Sequence, residues 1–330
     1  MRRRRWMMFP VLLLAVSLVA AGCGDDDDEE TTDTTASGQS QAPPSFAAGT
    51  TMATIQSKGK IVIGVKFDQP GFGQRNPTNN QVEGFDVEIG KLIAVGLFGG
   101  SVDDISSKIE FKEAISRNRE PFIQNGDVDI VIATYTINDT RKQVVDFAGP
   151  YFIAHQDIMV KSSDNSIRSV NDLNGKQVCS VKGSTSETNV KQKAPNVSVL
   201  ALDDYSKCTE ALTDGRVVAV TTDAPILGGY VAQSAGAFKL VKAPFTDEPY
   251  GIGLKKGDEA FRAFLNDRLE AIYADGSWAQ AFTATLGKLA LDLPTPPPVD
   301  RYTSSGTAPA TTASGATTTT TVASTTTTRA

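Results

Sequence analysis

The run Val128 to Ala133 is apolar almost throughout and leads directly into Thr134-Tyr135-Thr136. A strand of that composition suits a sheet covered on both faces, where neither side alternates toward water. It is one of a series. Ile61 to Val65 and Ile109 to Phe111 read as strands before it, and Gln156 to Lys161, Gln177 to Val181, Val197 to Leu200 and Val217 to Thr221 read as strands after it. Helical patterns fall between them. Asp86 to Leu97 spaces Val87, Ile89, Leu92 and Ile93 helically, with Asp86 as the expected N-cap. Pro121 to Gln124 ends at Asn125-Gly126, Asp204 to Thr213 reads as a helix, and Asp258 to Asp275 is long and amphipathic. Such alternation predicts an α/β fold with largely parallel pairing.

In open α/β sheets, ligands sit beyond the carboxyl ends of the strands. Four unusual elements lie there: Lys66, the Thr134/Thr136 pair, Gly183-Ser184-Thr185, and Asp223. Two follow the first set of strands and two follow the second, as expected for a cleft between two lobes. Each also has an ordinary explanation. Gly183-Ser184-Thr185 offers backbone N–H groups to an anion, or simply caps a helix. Asp223 before Ala224-Pro225 has the form of an N-cap with proline in the first turn. Lys66 on its own reads as solvated. Arg141 follows Asn138-Asp139-Thr140, a helix start where a cation opposes the helix dipole. A ligand carboxylate in its guanidinium fork would account for it, as would a solvated surface position.

The ends of the chain constrain its location. Arg2 to Arg5 precede the short apolar stretch Trp6 to Ala21, followed by Gly22 and Cys23. This reads as a secretory signal over residues 1–22, too short for a membrane span. A Cys at that point resembles a lipobox, so Cys23 is expected to carry lipid; plain cleavage with a free Cys23 is the alternative. The formal charge of the chain is −6, and loss of Arg2–Arg5 with the signal leaves −10. Asp25 to Glu30 with Asp33 hold seven of those negatives, so the folded part is near −3 and a nucleic-acid partner is not expected. Residues 23–52 read as an acidic, disordered tether, and the Thr-rich residues 292–330 as a disordered tail, glycosylated or bare. About 240 residues remain, enough for two lobes. With Cys23 lipidated, Cys179 and Cys208 remain as an expected disulfide in an oxidising compartment, closing a loop of about 30 residues worth roughly 3–4 kcal/mol. His155 is the only histidine and the cysteine spacing is wrong for zinc, so no zinc site is expected; His155 also lies away from the expected strand ends, so no Ser–His–Asp set is expected.

Several segments resemble, in order, the bacterial extracellular solute-binding proteins for polar amino acids. They are Gly84–Ala94, Ile132-Ala133-Thr134-Tyr135-Thr136 on to Arg141, Asp146–Tyr151, Lys182-Gly183-Ser184-Thr185 and Thr222-Asp223. The resemblance covers roughly Thr54 to Leu286. It implies a two-lobed Venus-flytrap fold of the periplasmic-binding-protein kind with two crossover strands. Lobe one would be 53–154 with 247–291, and lobe two 155–246. It further implies that Arg141 and Thr136, helped by the backbone at Thr185, hold an α-carboxylate, that Asp223 and the Thr134 carbonyl hold an α-ammonium, and that Ser184 belongs to the same site. The stretch Gly64 to Gly71 is similar to the glutamate/aspartate-binding branch, which places basic residues at Lys66 and at the end of Ser116-x-x-Arg119. Phe67 and Phe72 both stand where many members stack an aromatic ring on the ligand. With Arg141 and Asp223 matching the zwitterion, Lys66 and Arg119 are surplus cations, which a side-chain carboxylate would neutralise. The implied protein is a monomeric, cofactor-free, lipid-anchored binder of glutamate, then aspartate, on the outer face of the cell membrane. It would deliver its ligand to ABC permease subunits. Glutamine binding, a membrane-sensor role, and a dehydratase or cell-wall lyase are the alternatives.

Overall fold

The structure, a computed structural model, describes residues 43–302. The expected signal peptide, Cys23, most of the tether and the tail beyond Tyr302 lie outside the described residues. In chain order come α1 (Thr51–Lys58), β1 (Ile61–Val65), a small sheet of β2 (Asp68–Gln69), β3 (Gly73–Arg75) and β4 (Val82–Glu83), then α2 (Phe85–Phe98) and β5 (Ile109–Glu113). These are followed by α3 (Arg119–Asn125), β6 (Ile130–Val131), α4 (Asp139–Lys142) and the long β7 (Val145–Lys161). The second half holds β8 (Gln177–Val181), α5 (Thr185–Lys193), β9 (Ser198–Leu202), α6 (Tyr205–Thr213), β10 (Ala219–Asp223), α7 (Ala224–Gln233) and β11 (Phe238–Leu240). The chain returns through β12 (Thr246–Lys255) to α8 (Glu259–Ala274) and α9 (Ser277–Ala284).

The fold is two-lobed. In lobe one β1 pairs in parallel with β5 and β6; in lobe two β8 pairs in parallel with β9 and β10. Two strands cross between the lobes. β7 and β12 run antiparallel from Val145↔Lys255 to Gln156↔Thr246, with an irregularity between Tyr250 and Ile252. The expected strand at Gln156–Lys161 is thus the far end of a 17-residue crossover that starts at Val145. Because both crossovers pair with the lobe sheets, the two sheets join edge to edge in the order β5-β1-β6-β12-β7-β10-β8-β9.

Burial explains why these segments hold. An aromatic group of Phe72, Phe85, Tyr151, Phe152, Tyr250, Trp278 and Phe282 gathers on the crossovers, with mostly edge-on or tilted pairs such as Phe85–Trp278 at 5.6 Å. Separate apolar clusters fill each lobe, around Val131 and Phe147 in one and around Ile158 and Leu173 in the other. Cys179 on β8 and Cys208 on α6 form the expected disulfide, with Cα atoms 5.4 Å apart.

Three expectations need correction. Asp86 is not the N-cap of α2; Gly84 is, at φ 136°, where a Cβ would lie 2.3 Å from the Phe72 carbonyl. Asp86 instead is the second residue of the helix, fully buried, and accepts the Thr134 N–H at 2.9 Å and the Tyr151 hydroxyl at 2.7 Å. The tether does not run to residue 52: α1 begins at Thr51, capped by Thr50, and Phe46 packs on Phe264. Residues 292–302 do not stand away from the body. Asp300 N–H bonds Gly149 O at 2.8 Å, Tyr302 accepts the Phe147 N–H at 2.8 Å, and Arg301 pairs with Asp267 and Glu270 on α8.

Candidate ligand-binding site

A small cavity lies where the lobes meet at the carboxyl ends of the strands. Lobe one contributes Gln69, Ser116, Arg119 and Thr134; lobe two contributes Ser184, Thr185, Ser186, Tyr205, Thr222, Asp223 and Ile226. Six of the nine expected binding residues are therefore on its walls. Lys66, Thr136 and Arg141 are buried but are not on the wall itself. Neither Phe67 nor Phe72 reaches it: Phe72 is locked between Phe85, Phe152 and Tyr250, and the Arg75 guanidinium lies 4.2 Å from the Phe67 ring centroid. A wider groove between the small sheet, α7 and the segment after α9 carries no buried charged side chain.

Three cations surround the lobe-one side. Lys66, directly after β1, is 1% exposed, and its ammonium has no hydrogen-bond partner. Burial pulls its pKa below the ordinary lysine value, with Arg119 adding to the drop and Asp68 opposing it. Arg119, at the start of α3, donates to the carbonyls of Ser116, Ala133 and Thr134 at 3.1–3.3 Å and lies 4.4 Å from the Tyr135 ring centroid. The Thr134 carbonyl, expected for the α-ammonium, is thus shared with Arg119; the Thr134 hydroxyl is 3.0 Å from Gln69 Oε1. Thr134 adopts φ 43°, a left-handed conformation uncommon for threonine.

Arg141 sits on the short α4, whose cap Asn138 accepts its N–H as the sequence indicates. Its guanidinium turns inward, bonding Glu120 at 3.1 Å, the Thr136 carbonyl at 2.7 Å and, across the cleft, the Gly183 carbonyl at 3.4 Å. Burial, with Arg119 nearby, lowers its pKa to about 10. It is not a solvated surface arginine.

On the lobe-two side the helix-cap reading holds for Ser184, which accepts the Glu187 N–H at 3.0 Å while Glu187 accepts the Gly183 N–H. The N–H groups of Thr185 and Ser186 open α5 on the cavity wall, where a helix has no internal partner for them. Asp223 occupies the cap position of α7 but makes no cap bond. Its Oδ2 accepts the Tyr250 hydroxyl, and its buried Oδ1 has no partner. Burial and the negative charge of Glu248 push its carboxyl up to about 7.

Gln69, Ser186, Tyr205, Thr222 and Ile226 also line the cavity, and Glu248 bonds to Thr136 and Thr185 beside it. Thr222 stands beside Asp223 in a segment singled out in the sequence, Gln69 lies inside the Gly64–Gly71 stretch, and Ser186 adjoins Thr185. Tyr205 and Glu248 carried no local signal, because their relation to the cleft is set by pairing between distant segments. His155 is exposed on β7, paired with Asp247, and is absent from the cavity wall. Among the described residues no group of His, Cys, Asp and Glu could hold a metal ion, and no helix is long and apolar enough to cross a membrane.

The profile of the bacterial extracellular solute-binding proteins, family 3, matches residues 61–288. The glutamate-binding protein GluB of Corynebacterium glutamicum is 43% identical over 243 residues, covering 72% of this chain and 81% of that protein. The ABC transporter glutamine-binding protein GlnH of Bacillus subtilis is 42% identical over 233 residues, covering 70% of this chain and 83% of that one. Among solved structures, an ancestral arginine-binding protein bound to glutamine is 37% identical with a TM-score of 0.64, covering 69% of this chain and 98% of that chain. The profile spans the crossovers and every residue of the cavity wall, and the chain belongs to the bacterial extracellular solute-binding proteins, family 3.

Proposed function

We propose that the protein captures an acidic amino acid, glutamate ahead of aspartate, outside the cell and delivers it to the permease subunits of an ABC importer. The observation that carries this reading is the Lys66 ammonium, buried with no hydrogen-bond partner. An unpaired buried cation costs free energy, and a ligand carboxylate would supply the missing partner. In this reading Lys66, Ser116 and Arg119 receive the ligand side chain. Arg141, near Thr136, and the N–H groups at the start of α5, capped by Ser184, hold its α-carboxylate. Asp223 Oδ1, buried and unpartnered, accepts from the α-ammonium, with Thr134 beside it.

Glutamine is the second reading, supported by the 42% identity to a glutamine-binding protein and by the glutamine-bound structural relative. Identity alone does not rank the two, and the charge balance does: a glutamine amide would turn N–H donors toward cations that have only donors themselves. Binding without chemistry is the reading the similar proteins support; one structural relative, an ancestral amino-acid-binding protein, is described as a precursor of a cyclohexadienyl dehydratase. Anchoring through lipid on Cys23, a monomeric state, and the assignment of 155–246 to lobe two belong to the same proposal.

Calorimetric titration with glutamate, aspartate, glutamine and arginine tests it. Glutamate is expected to bind most tightly. Lys66→Met should weaken glutamate about tenfold or more, 1.4 kcal/mol per decade, and cost glutamine much less. Tighter binding of glutamine or arginine than of glutamate by the wild-type protein would remove Lys66 and Arg119 from the ligand side chain.

A further inference from the structure

Glu248 lies on the crossover β12 and is 2% exposed. Its carboxylate receives four hydrogen bonds. Oε2 accepts from the hydroxyls of Thr136 and Thr185, each at 2.7 Å. Oε1 accepts from Asn189 Nδ2 at 2.7 Å and from the Thr246 hydroxyl at 2.8 Å. Thr136 belongs to lobe one, just beyond β6, and Thr185 opens α5 in lobe two. One carboxylate oxygen on a strand between the lobes therefore joins them where their two hydroxyls stand 3.3 Å apart.

The direction of these bonds has a chemical consequence. A carboxylate accepts and does not donate, and a threonine hydroxyl has one proton. Both protons go to Glu248, so neither hydroxyl has one left for a ligand carboxylate. We infer that Glu248 is a positioning residue that ties the lobe-one and lobe-two halves of the clamp together. It also takes the protons of Thr136 and Thr185, so that recognition of an α-carboxylate falls to the Arg141 guanidinium and the backbone N–H groups of Thr185 and Ser186. The clamp assignment rests on the functional reading above; the tie between lobes rests on the hydrogen bonds alone.

The test measures the distance between spin labels on exposed positions of the two lobes in the full-length chain, without ligand and with saturating glutamate, alongside glutamate affinity. Glu248→Ala should lengthen and broaden the distances without ligand and weaken glutamate about tenfold, an ordinary coupling between sites. Glu248→Gln should restore the short distances, because its amide nitrogen can donate to both hydroxyls while its oxygen still accepts from Asn189 and Thr246. Thr185→Val, which removes one hydroxyl and leaves the carboxylate, should lengthen the distances in part, and it carries the test if Glu248→Ala does not fold. A folded Glu248→Ala protein with wild-type distances, or a Glu248→Gln protein as open as Glu248→Ala, overturns the inference. A wild-type protein that binds no amino acid would sink the functional reading and leave the distance comparison standing.

Discussion

Asp223 ends β10 and stands at the cap position of α7, yet its carboxylate turns away from the helix toward Tyr250. That choice leaves it buried and raises its carboxyl from the ordinary 3.8 to about 7. The fully buried Asp86 is raised to about 7 as well, again chiefly by burial. A carboxyl raised in the folded state binds its proton more tightly there than in the unfolded chain. Between its unfolded and folded values the native state holds the extra proton, so stability falls as pH rises from about 4 to about 7 and then levels off. Asp223→Asn should therefore raise the Tm more at pH 8 than at pH 4, at about 2–4 °C for each kcal/mol recovered in a chain of this size. The same variant should weaken glutamate at pH 8. Thermal melts at both pH values with calorimetry check this; a variant that melts lower than wild type at pH 8 would mean the Tyr250 bond outweighs the burial cost. Lys66 and Arg141 show the same principle from the cationic side: sequence spacing leaves each open to a surface reading, and burial decides against it.

Strands and helices were legible from the sequence where one local pattern governs them. The starts of α6 and α8 follow from Asp204 and Asp258, which accept the N–H groups of Lys207 and Phe261 as caps should. β6 is shorter than its apolar run, and at its start the Asp129 carboxylate accepts the Val62 N–H at 2.8 Å. The small sheet β2–β4 lacks a run long enough to announce itself. The Cys179–Cys208 bond fastens α6 to β8 across 29 residues, and both sulfurs are fully buried. In the chain-entropy account such a loop is worth about 3–4 kcal/mol. The double substitution Cys179→Ala with Cys208→Ala should lower the urea midpoint accordingly, and denaturation curves of the two proteins measure it. Coincident curves would mean the bond adds nothing beyond what packing already provides.

At the scale of the molecule, the stretch 292–302 acts as a strap on lobe one. Arg262 donates to the Tyr302 carbonyl, and the Tyr302 ring lies 4.0 Å from Lys142 Nζ and 4.3 Å from the Arg262 guanidinium carbon. A chain ending at Leu291 should unfold at a lower urea concentration than one ending at Tyr302, while glutamate affinity stays within about threefold, because no strap residue lines the cavity. Equal midpoints would assign 292–302 to the free tail after all. The amino-acid sequence by itself determined the α/β class, the strand-end positions of most candidate site residues, and the cysteine pair. Those are properties of periodicity, of turn and cap chemistry, and of parity, all readable within a few residues. Only the tertiary structure decided that Asp86 is an interior acceptor and no cap, that Phe72 belongs to the core, that the tail's first residues lie down on lobe one, and that Glu248 takes the threonine protons. Each of these depends on which distant segment is brought alongside, as β12 is brought to Thr136 and Thr185, and local sequence does not record that.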